Sequence, residues 1–179
     1  LGSKHPSTLY TIRMLATYLD LSGKDDETAL SMYIECLEGY RYVGGEDDSR
    51  VAEMLLEISD HLLDDLKRPE EASSYLKEFF VLHRPMVADE DAEALEAIEL
   101  LGQAFKDMKK YDESEIHYAE CLEIQRRTLG DDHSDTLGTI GNMAYVLYKQ
   151  RKYKDASSYY AENLEQRRRL LGDDDPNTL

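Results

Sequence analysis

The chain has 179 residues, 41% of them hydrophobic and 33% charged, with a formal net charge of -17. That length allows a single core-forming domain. The acidic balance, net -10 over residues 1–90 and net -7 over 91–179, sets the chain against nucleic-acid phosphates and anionic membrane surfaces. No apolar run approaches the ~20 residues that span a bilayer, and residues 1–9 lack a secretory pattern.

A nine-residue phrase punctuates the sequence. It reads LGSKHPSTL at 1–9, LGDDHSDTL at 129–137 and LGDDDPNTL at 171–179, with blurred copies VGGEDDSRV at 43–51 and VADEDAEAL at 87–95. The copies end at Leu9, Val51, Leu95, Leu137 and Leu179, in steps of 42, 44, 42 and 42. A fixed period of roughly 20–50 residues marks a stacked repeat. The repeats are expected over 1–42, 43–86, 87–128 and 129–170, with a fifth beginning at 171–179. The whole of 1–179 is then one solenoid domain, expected to be a piece of a longer array.

Taken in chain order, the apolar stripes predict eight helices, over 7–22, 26–42, 49–66, 69–83, 92–108, 112–128, 135–150 and 154–170. The phrase joins a stop to a start. Its glycine (Gly2, Gly44, Gly130, Gly172) suits the left-handed conformation that ends a helix. Asp47, Asp91 and Asp175 suit the N-cap, and Pro6 and Pro176 suit the place just after it. His5 and His133 sit at the same junction, as caps or in solvent. Pro69 fits the first turn of the fourth helix, and Pro85 follows its end. The second repeat is irregular: Val51 to Ala72 is 21 residues, where Leu137 to Ala156 is 19. In the last full repeat one stripe runs Leu137, Ile140, Met143, Ala144, Leu147, and the next runs Tyr153, Ala156, Tyr159, Tyr160, Leu164, Leu170. No sustained strand alternation competes. Cys36 and Cys121 fall mid-helix with no CxxC spacing, which predicts buried thiols in a reducing, cytoplasmic compartment.

At 100–137 and 142–179 the chain resembles the tetratricopeptide repeats, in the long 42-residue subclass found in kinesin light chains. The family's small helix-contact residues are matched by Ala16, Gly102 and Ala144, and by Thr28, Ala72, Ser114 and Ala156. Tyr111, Tyr118, Tyr153 and Tyr160 flank them. The resemblance implies an all-α, right-handed α-solenoid of about four helix-turn-helix repeats. The first helix of each pair would line a concave groove that holds a partner's peptide or helix.

On that reading the groove-facing residues are Arg13, Thr17 and Asp20 in the first repeat and Glu99, Gln103 and Lys106 in the third. In the fourth they are Asn142, Tyr145, Tyr148 and Lys149, with Gly138 and Gly141 leaving room for a ligand backbone. The Lys/Asn clamp of chaperone-binding repeats is unmatched: its places hold Arg13 and Thr17, Glu99 and Gln103, Gly141 and Tyr145.

No phosphate loop, GxSxG or HExxH occurs, so no catalytic, cofactor or metal residue is expected. The acidic clusters Glu46-Asp47-Asp48, Asp131-Asp132 and Asp173-Asp174-Asp175 lack calcium-loop spacing and read as a solvated ridge. The arginines at 126–127 and 167–169 sit where positive charge complements a helix C-terminus. His61, with Asp60, Asp64 and Asp65 beside it, reads as part of a solvated helix face. The expected function is a non-enzymatic protein-interaction module, for a partner more basic or neutral than acidic, with end-to-end self-association. The alternative is a structural or regulatory solenoid segment that contacts partners through outer helices and edges.

Overall fold

A computed structural model describes residues 2, 4–23, 25–46, 48–83 and 92–171. The described residues are all-α, a helical-repeat solenoid. The helices are α1 Pro6–Ser22, α2 Asp26–Gly44, α3 Ser49–Asp64, α4 Pro69–His83, α5 Ala92–Asp107, α6 Tyr111–Thr128, α7 Ser134–Lys149 and α8 Tyr153–Leu171. Each lies within two residues of its expected span.

The start signals work as the phrase implies, with one change of residue. His5 caps α1 by accepting from the Ser7 N–H, and His133 caps α7 by accepting from the Asp135 N–H. Asp25 caps α2, and Asp48 caps α3. Asp47, Asp91 and Asp175 lie outside the described residues, as do Pro85, Gly172 and Pro176. The stop signals also shift slightly. Gly44 is the last residue of α2, and it is Gly45 that has a positive φ, +82°, with an extended ψ of -176°; Gly130 is at φ +90°. Thr136 then donates to the Gly130 carbonyl at 2.8 Å, pinning the phrase against the start of α7.

A second left-handed position recurs between the two helices of each repeat. It is Gly23 at φ +56°, Lys67 at +54°, Lys109 at +60° and Arg151 at +65°. Counted from the last residue of the preceding phrase, Lys67 lies 16 residues on, and the other three lie 14 on. The two extra residues of the second repeat therefore fall before Lys67, at the end of α3 and in its connection to α4.

The chain forms two compact units, Leu1–Leu100 and Leu101–Leu179. In the first, α1 packs on α2, α2 on α3 and α3 on α4. Ala16 and Ala29 are fully buried and let α1 and α2 approach; Leu9, Leu37, Met54, Leu55, Ile58, Leu62, Leu76 and Phe79 fill the core. Each such large side chain contributes about 1.5–3 kcal/mol by burial. In the second unit, Tyr118, Met143, Val146, Leu147 and Ala156 form one cluster, with Tyr111 and Tyr159 packed against it. Gly102 has Tyr118 laid across it: a Cβ there would stand 2.8 Å from the tyrosine ring. Ser114 completes the contact by donating to the Gly102 carbonyl at 2.8 Å. Both cysteines are buried and unbridged. Burial pushes the Cys36 thiol up to about 11, which keeps it protonated and unreactive.

Candidate functional site, the first-helix faces of each unit

In the first unit the groove candidates are engaged within the chain. The Arg13 guanidinium reaches from α1 to two carboxylates of α3. It lies 2.6 Å from Glu53 and pairs with both oxygens of Glu57, its Nε standing 3.0 Å from Oε1. Burial opposes the charge on Arg13, and the two glutamates more than restore it. Burial also lifts the Glu57 carboxyl above its ordinary value, in spite of the guanidinium. Thr17 and Asp20 both accept from the Tyr33 hydroxyl, at 3.3 and 3.1 Å, and Asp20 also meets His61 at 2.9 Å. On α5, Glu99 of the first unit and Gln103 of the second are half-buried and engaged by other residues.

His61 corrects the sequence reading. Its ring is buried, with 1% of the residue exposed, and it faces the core side of α3 rather than solvent. Counting through the phrases, position 61 corresponds to Leu19, Phe105 and Leu147, all apolar. That register was the available signal; the aspartates around His61 concealed it.

The second unit leaves its first-helix face open. Tyr145 and Tyr148 are 40% and 52% exposed on α7. The Lys149 ammonium lies over both rings, 5.0 Å from the centroid of Tyr145 and 5.9 Å from that of Tyr148. Contact with Tyr145 holds it charged above its ordinary range. Lys106 donates to the Asn142 side-chain oxygen at 3.3 Å, so the two candidates meet. A cleft of about 540 Å³ opens beside them, lined by Lys106, Asp107, Lys109, Tyr111, Gly141, Asn142, Tyr145 and Tyr160. Lys109, Tyr111 and Tyr160 were missed as site residues, because the two tyrosines read as gap-fillers within the repeat. A Cβ at Gly138 would meet nothing within 4 Å, and one at Gly141 would touch only the Asn163 amide at 3.6 Å.

A second cleft, of about 520 Å³, opens between α6 and α8 of the same unit. Its floor includes Met143 and Leu147, and its walls carry Glu115, Arg126, Tyr159 and Glu162. Arg126 and Glu162 form an ion pair at its edge.

Residues 94–135 and 136–177 each match the family model described as tetratricopeptide repeat. Residues 94–177 are tetratricopeptide repeats. Solved structures share the fold. Kinesin light chain nearly identical TPR-like repeats from Podosopora anserina superpose with a TM-score of 0.78 at 16% identity, covering 96% of this chain and 80% of that one. BtubC (BKLC) from P. vanneervenii gives 0.80 at 18% identity, covering 92% and 65%. Aspartyl phosphate phosphatase F from Bacillus subtilis gives 0.75 at 15% identity, covering 90% and 40%. None of the curated proteins matches the sequence significantly. The tetratricopeptide-repeat fold generally serves as a protein–protein interaction module. Among the described residues, no helix is long and apolar enough to cross a membrane.

Proposed function

We propose that the chain is a non-enzymatic interaction module that holds an extended peptide segment of a partner protein on the α7 face of its second unit. The observation that carries this reading is the pair Tyr145 and Tyr148, half-exposed beside a cleft that also presents Lys106 and Asn142. Exposed tyrosines supply large contact area at low conformational-entropy cost, and they concentrate binding energy at interfaces. The Asn142 amide suits a peptide backbone, with both a donor and an acceptor to offer. Gly138 and Gly141 leave space for that backbone to approach. The net charge of the chain favours a basic or neutral partner overall, and the cleft itself mixes Lys106 and Lys109 with Asp107.

The test is selection from a displayed random-peptide library with the wild-type chain, followed by titration of the selected peptides against Tyr145→Ala/Tyr148→Ala. A loss of affinity of tenfold or more in the double variant is the expected result. Peptides bound equally by both proteins would overturn the assignment to α7. They would favour the second reading, contact through outer helices, which the cleft between α6 and α8 with its apolar floor supports.

A further inference from the structure

The second repeat breaks its own register at one place, and that place gathers three metal-ligand side chains. An imidazole, His61, stands where the other repeats carry Leu19, Phe105 and Leu147. The two-residue insertion lies in the stretch that carries Asp65, and Asp20 enters from α1.

The histidine is held as a ligand would be. Its Nε2 lies 2.8 Å from the Asp26 carbonyl oxygen, which can only accept, so Nε2 carries a hydrogen. Its Nδ1 faces Asp20 Oδ1 at 2.9 Å and Asp65 Oδ2 at 3.3 Å. A carbonyl that fixes one ring nitrogen while the other faces carboxylates is the outer-shell arrangement of metal-bound histidines. The three ligand atoms lie within 4.8 Å of one another. Ligands at about 2.0–2.2 Å around a tetrahedral zinc ion stand about 3.3 Å apart, close to the separations from Nδ1. The side chains of Asp20 and Asp65 are 23% and 38% exposed, which leaves one side open for a water ligand. Beside them, the Asp26 Oδ1 atom is buried without a hydrogen-bond partner.

Charge points the same way. Two carboxylates around a neutral imidazole carry two negative charges, and a proton on Nδ1 cancels only one. A divalent cation cancels both.

We propose that Asp20, His61 Nδ1 and Asp65 bind one divalent transition-metal ion of the zinc class, with water as fourth ligand. One nitrogen and two oxygens suit zinc or cobalt, whereas magnesium and calcium require six or more oxygen ligands. Binding displaces the Nδ1 proton to solvent and ties α1, α2 and α3 together through Asp20, the Asp26 carbonyl and His61.

The test uses the whole chain, stripped with a chelator. Zinc is titrated by calorimetry and cobalt by visible absorption, on wild type and on Asp65→Asn, whose exposed position spares the core. The expected result is one ion per chain with a tetrahedral cobalt spectrum, at least tenfold weaker affinity in Asp65→Asn, and a melting temperature that rises with zinc and not with magnesium. Equal zinc affinity in both proteins would mean adsorption on other carboxylates and would overturn the proposal. So would a melting temperature unmoved by zinc, the outcome if His61 only shares a proton with Asp20. The cobalt spectrum of wild type reads the site without relying on any variant.

Discussion

The two units use the same repeat positions in opposite ways. Counting through the phrases, Arg13, Thr17 and Asp20 of the first unit correspond to Gly141, Tyr145 and Tyr148 of the second. In the first unit these side chains are joined to Glu53, Glu57, Tyr33 and His61, so their polar capacity is satisfied inside the chain. In the second, a glycine and two half-exposed tyrosines leave the same face open. A repeat scaffold fixes where a side chain stands; its neighbours 40 residues away decide whether it is available.

The largest effect that would break this contrast is Arg13→Ala. It leaves Glu57 half-buried without its cation, and burial already disfavours that carboxylate. The expected loss is about 2 kcal/mol, below the range for fully buried pairs because part of the Arg13 side chain stays in water. Urea unfolding measures it, and a loss under about 0.5 kcal/mol would show that the network is ornamental. Peptide binding at Tyr145 and Tyr148 should be unchanged in the same variant.

Much of this architecture was legible in the sequence. The nine-residue phrase, recurring about every 42 residues, and the apolar stripes located all eight helices, because helix periodicity is a local property. Burial of the cysteines was legible from their mid-helix positions, and the small contacts at Ala16, Gly102 and Ala144 from the family resemblance. The Arg13 network was not, since its partners lie 40 and 44 residues away and no local pattern announces a pairing across helices. His61 was hidden by composition: Asp60, Asp64 and Asp65 made its helix look solvated, and only the repeat register reveals a core position. In the second unit the tyrosines at 145 and 148 could be placed by elimination from the stripe, whereas Tyr111 contributes both to packing and to the cleft.

Two glycine substitutions sharpen the comparison within the second unit. Gly102→Ala puts a Cβ 2.8 Å from the buried Tyr118 ring, and overpacking outweighs the gain in helix propensity. The expected net cost is about 1 kcal/mol, seen as a lowered urea midpoint. Gly138→Ala meets nothing within 4 Å and should raise stability by about 0.7 kcal/mol. If a ligand backbone passes there, the same variant binds selected peptides more weakly while melting higher. Unchanged affinity would place the peptide nearer to Tyr148.

The smallest effect concerns acid. Burial alone would raise the Glu115 carboxyl, but Lys152 at 2.7 Å and the Gln150 amide hold it below its ordinary value. A depressed carboxylate stabilises the fold above its unfolded pKa of about 4.3 and loses that contribution as pH falls further. Lys152→Met should therefore lower stability slightly at pH 7 and hardly at all at pH 2. A difference that persists at pH 2 would point to packing by the lysine stem instead.

The left-handed residues between paired helices have a bearing on association kinetics. Lys67, Lys109 and Arg151 are solvent-exposed and stand where Gly23 stands in the first repeat. The strain of a side chain there, about 1 kcal/mol, is close to the entropy that glycine would add to the unfolded chain. Stability is thus nearly indifferent to the choice, and charge is left as the deciding property. Each cation sits at the C-terminal end of a helix, where the backbone dipole welcomes it. Glycine at Lys67 and Arg151, which line neither cleft, would make the chain two units more negative without moving a helix. The encounter rate with a positively charged partner, and its dependence on ionic strength, would then rise while the bound contacts stayed the same.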